Sequence, residues 1–352
     1  MKKAYMMFLV ILVLFTIGAT GDKGGAPLTL VQTFKLPAEI KGRFDHFGID
    51  LKGHRLFATP EDYHALLVLD YRNGKILQTV HGIEKPHAVV YREDIDRIYV
   101  TDGEAGVVRI IDGKTYKILK SVPLQLDADA MSYDPTTKLL YIVSGGKDVK
   151  MSYSTLSVVD STAGEKFADI KVEGDTLEVM ALEKASQKLY LNNRAKNEVP
   201  VIDREKRTIL ETWPVTLGKM NVSMAYDEAN HRLFVGCRSG HIVVFDTQTG
   251  KELQALKIAE GIDDLHFDAR SKLLIAACAA GSVDLYREVD PDHYQRLALI
   301  PTSPIAKTSL LVTALKRFYV IVPKHIILTP PIPQDKEATI EDAKVMVFEV
   351  LP

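Results

Sequence analysis

The 352-residue sequence predicts an all-β fold, a seven-bladed β-propeller of four-stranded blades. Three observations predict it. A short hydrophobic pattern recurs seven times, an aspartate follows most copies at a near-constant distance, and the first strand of the chain resembles the strand that the last copy lacks. The copies are Arg55-Leu56-Phe57, Arg97-Ile98-Tyr99, Leu139-Leu140-Tyr141, Lys188-Leu189-Tyr190, Arg232-Leu233-Phe234, Leu273-Leu274-Ile275 and Arg317-Phe318-Tyr319. With the third residue of each taken as an anchor, the spacings are 42, 42, 49, 44, 41 and 44 residues.

The chain begins with Lys2 and Lys3, the apolar run Ala4–Ile17 and the small residues Gly18-Ala19-Thr20-Gly21. A charged start, a short apolar core and small residues make a secretory signal peptide, residues 1–21. The apolar run is shorter than the ~20 residues a permanent bilayer helix needs, so no membrane span is expected after cleavage. No cysteine follows it to carry a lipid. The expectation is export, to the periplasm or the medium. Removing residues 1–21 takes away two lysines and no acid, moving the formal charge from −2 to −4.

Residues 27–352 then read as one ring. Each unit holds an inner strand (Phe47–Ile49, Met131–Tyr133, Met224–Tyr226), a polar turn, the anchor strand, an apolar third strand and a polar fourth (Ile76–Val80, Glu252–Ile258). Short β-prone runs separated by Gly, Asn, Asp and Pro are strand and hairpin signals. Asp70, Asp112 and Asp203 lie 13 residues after their anchors, Asp246 lies 12 after and Asp160 lies 19 after. An aspartate at the end of a strand accepts bonds from turn amides, so a structural cap is expected. The last two units place Arg287 and Glu349 nearest to this marker. The seventh unit ends after Val345–Phe348, and Leu30–Phe34 resembles Ile76–Val80, so the N-terminal strand is expected to complete the C-terminal blade. Closure of this kind protects the edges of the ring.

Tyr99-Val100-Thr101-Asp102, with Val108-Arg109-Ile110-Ile111-Asp112 after it, resembles the YVTN-type β-propeller repeat across residues 27–352. The other units keep its spacing and hydrophobic columns but replace the Thr-Asn pair. The resemblance implies a propeller, and a family that includes binding and surface proteins. Trp213 is the lone tryptophan and is followed by Pro, which sets aside WD repeats and the tryptophan-rich docking repeats of quinone-dependent alcohol dehydrogenases.

Composition narrows the function classes. Charged residues make up 26 % and hydrophobic ones 46 %, with Lys+Arg 44 against Asp+Glu 46. No basic excess is available to neutralise phosphates, so no nucleic-acid partner is expected. Two cysteines, Cys237 and Cys278, exclude a multi-bridge framework and a four-cysteine zinc site. They occupy the same column of adjacent units, which favours two small buried residues, with a bridge still open in an exported protein. His54, His64, His81, His231, His241, His266, His293 and His325 show no ligand spacing.

The residue twelve before each anchor should stand at the mouth of the central channel. That column reads Asp45, His87, Asp129, Glu178, Val222, Asp263 and Lys307, six ionisable residues where composition predicts about two. His46, Asp127, Asn221 and Asp264 flank it. Three uses stay open. Asp129, Glu178 and Asp263 supply oxygen ligands for Ca²⁺ or another divalent cation. Alternatively, crowded carboxylates raise one another's pKa for acid–base work. Thirdly, the acids simply satisfy turn amides and channel water. Two insertions, Ser144–Ser154 and Pro323–Ala343, are expected to rise on the same face as a rim.

The expected function is an exported, monomeric binding or interaction module. Its small-molecule or protein ligand would sit on Asp45, His46, His87, Asp129, Glu178, Asn221, Asp263, Asp264 and Lys307. The alternative is a lactonase-like or lyase-like enzyme using a channel cation and a carboxylate or histidine base. No catalytic residue is assigned.

Overall fold

Seven four-stranded antiparallel sheets follow one another around a ring in the computed structural model, which describes residues 27–327 and 339–351. The expected leader 1–21 and the centre of the Pro323–Ala343 insertion lie outside the described residues. Blade 1 contains β2 (Gly48–Asp50), β3 (Arg55–Ala58), β4 (Ala65–Asp70) and β5 (Ile76–His81). Blade 2 contains β6 (Pro86–Arg92), β7 (Arg97–Asp102), β8 (Val107–Asp112) and β9 (Ile118–Pro123), and blade 3 β10 (Met131–Asp134), β11 (Leu139–Gly145), β12 (Tyr153–Asp160) and β13 (Glu165–Glu173). Blade 4 runs from β14 (Leu177–Leu182) through β15 (Lys188–Asn193) and β16 (Glu198–Asp203) to β17 (Thr208–Pro214). Blade 5 follows with β18 (Asn221–Asp227), β19 (Arg232–Cys237), β20 (His241–Asp246) and β21 (Lys251–Lys257). Blade 6 has β22 (Ile262–Asp268), β23 (Leu273–Cys278), β24 (Ser282–Asp290) and β25 (His293–Pro301).

Blade 7 takes β26 (Ser309–Val312), β27 (Arg317–Val322) and β30 (Lys344–Val350) from the end of the chain, and β1 (Leu28–Lys35) from its start. Strand β1 pairs antiparallel with β30 from Leu28↔Val350 to Lys35↔Lys344, so the ring closes as the sequence predicts. A small hairpin, β28 (His325–Ile327) with β29 (Thr339–Glu341), carries the described ends of the last insertion. No helix among the described residues is long and apolar enough to cross a membrane.

The anchors explain why the blades stack. Phe57, Tyr99, Tyr141, Tyr190, Phe234, Ile275 and Tyr319 are all essentially inaccessible. Each packs into the seam between its own blade and the next: Phe57 meets Val89 and Val100 of blade 2, and Tyr99 meets Leu140 and Ile142 of blade 3. Tyr319 of blade 7 closes the series against Leu56 and Leu67 of blade 1, with Phe34 of β1 beside it. Burying such a side chain contributes about 1.5–3 kcal/mol, so seven seams hold the ring as a set.

The recurring aspartates cap turns. Asp112 accepts the amides of Lys114 (3.2 Å) and Thr115 (2.8 Å), Asp203 those of Glu205 and Lys206, and Asp246 those of Gln248 and Thr249. Asp70 and Asp160 do the same. Arg287 and Glu349 take the marker's register, opposite Leu273 and Arg317, as Asp70 stands opposite Arg55. Cys237 and Cys278 are free, buried thiols in different seams, which keeps them from pairing.

Candidate functional site

Local irregularity in the inner strands delivers the charged column to the channel mouth. The pairing of β6 with β7 slips between Pro86 and Val89, that of β14 with β15 between Leu177 and Met180, and that of β22 with β23 between Ile262 and Asp264. β18 slips against β19 between Asn221 and Ser223. His87 with Ala88, Glu178 with Val179, and Val222 and Asp263 singly lie inside these bulges, and His87, Glu178, Val222 and Asp263 are the column members. A bulged residue leaves the ladder and its side chain is re-aimed, which frees these four to point into the opening. In blades 1, 3 and 7 the same position precedes the inner strand; there Asp45 and Asp129 are fixed by backbone bonds to Thr59 (3.1 Å) and Val143 (3.0 Å).

All seven column residues line one cavity of about 260 Å³. His46 and Asp127 join them, as do Ser144, Gly145, Lys147, Asp148 and Ser154 of the first insertion, which therefore does form part of the rim. Asn221 and Asp264 stand behind the lining. Asn221 is fully buried, donating to Asn192 Oδ1 (2.7 Å) and the Glu198 carbonyl (3.1 Å). Asp264 accepts the Ser309 amide at 2.6 Å and faces His46 Nδ1 at 3.4 Å.

One side of the mouth mixes acids with imidazoles. His87 Nδ1 donates to Asp45 Oδ2 at 2.6 Å and lies 3.7 Å from Asp129 Oδ1. His46 Nε2 is 3.4 Å from Asp45 Oδ1. His87 Nε2 is buried without a partner beside Gly103, where an added Cβ would come within 2.8 Å of it. Only glycine fits that contact without displacing the ring. Donor atoms of Asp45, His46 and Asp129 lie within 4.8 Å of one another, as do those of Asp45, Glu61 and His87. A cation could be held at either group.

The other side is cationic. Arg194 pairs with Glu178, while Arg238 (2.5 Å) and Lys307 (2.6 Å) share the two oxygens of Asp263. Of the three acids expected to ligate a cation, Asp129 therefore falls in a donor group, whereas Glu178 and Asp263 face guanidinium and ammonium groups. Arg194 and Arg238 escaped the sequence reading. They sit four residues after their anchors, in a second column that reads Glu61, Gly103, Gly145, Arg194, Arg238, Ala279 and Pro323. That column also yields Glu61, which lines the cavity and pairs with Arg43 at 3.1 Å.

Proton affinities diverge across this small space. Burial works to raise Asp45, but His46, His87 and Lys307 outweigh it and hold the carboxyl well below its usual range. Burial also opposes charge on the imidazoles, yet Asp45, Asp264 and Asp129 keep His46 well above its ordinary value. Asp129 and Asp45 similarly lift His87 to about 9. Asp129 is itself raised to about 6 by burial and by Asp45. Burial and the Asp129 charge push Glu178 up to about 7, against Arg194 and Arg238. Groups pushed apart in this way cluster at functional sites, although structural networks produce them too.

No protein-family model matches the chain. A stretch of 112 residues, 32 % of this chain, is 31 % identical to YncE of Salmonella typhi, a YVTN-type propeller protein. The same length is 30 % identical to YncE of Salmonella typhimurium, and in both cases the match spans about a third (31 %) of the relative. The similarity to YncE is thus distant and partial. A longer stretch, 61 % of the chain, is 24 % identical to 40 % of the probable U3 small nucleolar RNA-associated protein 18 of Schizosaccharomyces pombe. Among solved structures, a chain of the mitotic checkpoint complex superposes over its whole length and the whole of this chain with a TM-score of 0.73 at 12 % identity. A chain of Kuenenia stuttgartiensis hydrazine synthase matches at 0.65 and 15 % identity, covering 80 % of this chain and 94 % of that one. At such identities these likenesses show the propeller fold alone.

Proposed function

We propose that the channel mouth is a binding site for a small polar ligand, built around a divalent cation that Asp45, His46 and Asp129 hold. The observation that carries this is the convergence of those three donors within 4.8 Å on a cavity, with the Asp264 carboxylate behind His46. A carboxylate on the far nitrogen is the usual outer partner of a metal-ligating histidine; it fixes the ring and leaves Nε2 for the metal. An imidazole beside two carboxylates suits a transition-metal ion, the borderline Zn²⁺ or the harder Mn²⁺, over Ca²⁺, which takes oxygen ligands alone. Three protein donors also leave coordination positions for a ligand, unlike a closed structural site. In this role the chain is exported and monomeric, with residues 1–21 removed.

Thermal melts in EDTA and with Zn²⁺, Mn²⁺ or Ca²⁺ test this. At a hundredfold excess over Kd a bound ion stabilises the fold by about 2.7 kcal/mol. The rise should vanish in Asp129→Asn and persist in Glu178→Gln; no rise with any of the three ions refutes the site. The open coordination positions also favour a second function, a hydrolase or lyase in which the ion polarises a substrate oxygen. Turnover on lactones or esters that stops with Asp129→Asn separates it from simple binding.

A further inference from the structure

We propose that the ligand of this mouth carries a carboxylate, clamped by the guanidinium groups of Arg194 and Arg238. The proposal rests on the mouth being a ligand site, but it does not require the cation. Asp45 and His46 belong to blade 1, and in a ring of seven the blades across from it are 4 and 5, which contribute Arg194 and Arg238.

Both arginines have donors to spare. The Arg194 side chain makes one hydrogen bond among the described residues, through Nη1 to Glu178, and the Arg238 side chain makes one, through Nη2 to Asp263. Their remaining N–H groups are not among the buried atoms that lack partners, and the side chains are 19 % and 26 % exposed on the cavity. A guanidinium is a planar fork of five donors, matched to the two oxygens of a carboxylate. Glu178 and Asp263, both set in inner-strand bulges, hold the forks in place before a ligand arrives.

Charge and size narrow the class. Arg194, Arg238 and Lys307 face Glu178 and Asp263, an excess of one positive charge that suits one carboxylate group, with any second carboxylate of the ligand left to the divalent cation's side of the mouth. A phosphate dianion would meet repulsion from the same two acids. Val222, the one apolar residue of the column, lies between Glu178 and Asp263 in that column and offers a carbon chain its contact. The cavity of about 260 Å³ is smaller than the ~300–1,000 Å³ typical of drug-sized ligands, so the molecule is small.

Calorimetry with succinate and with inorganic phosphate tests the proposal, on EDTA-treated and on Mn²⁺-loaded protein. Succinate should bind the Mn²⁺-loaded wild type, and its affinity should fall about tenfold to a hundredfold in Arg194→Gln and in Arg238→Gln. Arg238→Lys, which keeps the charge without the fork, should not restore it. Mn²⁺ affinity should be the same in all of these variants, which also shows that they fold. Succinate that fails to bind, or that binds the Gln variants equally well, overturns the clamp while leaving the metal site to its own melt. Phosphate binding more tightly than succinate, with the same arginine dependence, overturns the carboxylate assignment. If Mn²⁺ leaves the melt unmoved yet succinate binding still depends on the arginines, the cation falls and the clamp stands.

Discussion

Replacing Glu178 by Gln should make the ring more stable than wild type in mild alkali, and leave it nearly unchanged in acid. Burial and the Asp129 charge place the Glu178 carboxyl at about 7, against 4.5 for the same group in an unfolded chain. Raised affinity in the folded state means that this group's contribution is fully present below pH 4.5 and is lost as the pH climbs through about 7. The interval from 4.5 to about 7, at about 1.36 kcal/mol for each tenfold change in proton affinity, comes to about 3 kcal/mol. With the side chain 17 % exposed, water relieves only a small share of that. Gln has the shape of the neutral acid and does not titrate. The stability difference between variant and wild type should therefore grow by about 3 kcal/mol between pH 4.5 and pH 8, in favour of the variant. Urea unfolding in EDTA, followed by the fluorescence of the single buried Trp213, measures it directly. In an Asp129→Asn background the gain should shrink, because the next-largest cause of the shift has gone. A difference that stays flat with pH, or changes sign, refutes the electrostatic account of this site.

Asp264→Asn should weaken Mn²⁺ binding about tenfold to a hundredfold without abolishing it, because the partner behind His46 is altered and the ligands remain; calorimetry reads the loss. Phe34→Ala removes a side chain only 3 % exposed in the seam between blades 7 and 1, and should cost about 3–5 kcal/mol in urea unfolding. Phe57→Ala, in the seam between blades 1 and 2, should cost a similar amount, since a closed ring has no weak joint. Ellman's reagent should find no reactive thiol in the folded protein and two in urea without reductant, because Cys237 and Cys278 are buried and free.

The ring was legible because its signal is periodic. Seven anchors at similar spacing can only be buried together if consecutive units stack, and the capping aspartates mark where each third strand turns. The mouth column was legible for the same reason: Asp45, His87, Asp129, Glu178, Val222, Asp263 and Lys307 share one register and line one cavity. Two of the four flanking residues were not. Asn221 and Asp264 are one step off the column in sequence, and the bulges that turn Val222 and Asp263 outward leave these neighbours behind the wall. Arg194 and Arg238 were hidden in a column whose other members are mostly glycine, alanine and proline, where two charges look like ordinary turn residues.

Sequence alone determined the number of blades, their order and the strand that closes the ring, because these follow from repeat length and hydrophobic period. Which acid faces which cation was decided only by the tertiary structure. Neighbouring blades bring residues one repeat apart together at the mouth, so Asp263 finds Lys307 from 44 positions away and Asp45 finds His87 from 42. Those pairings divide the mouth into an acid–imidazole side and a guanidinium side. Composition registers neither, since opposite charges brought together in space cancel in the sum.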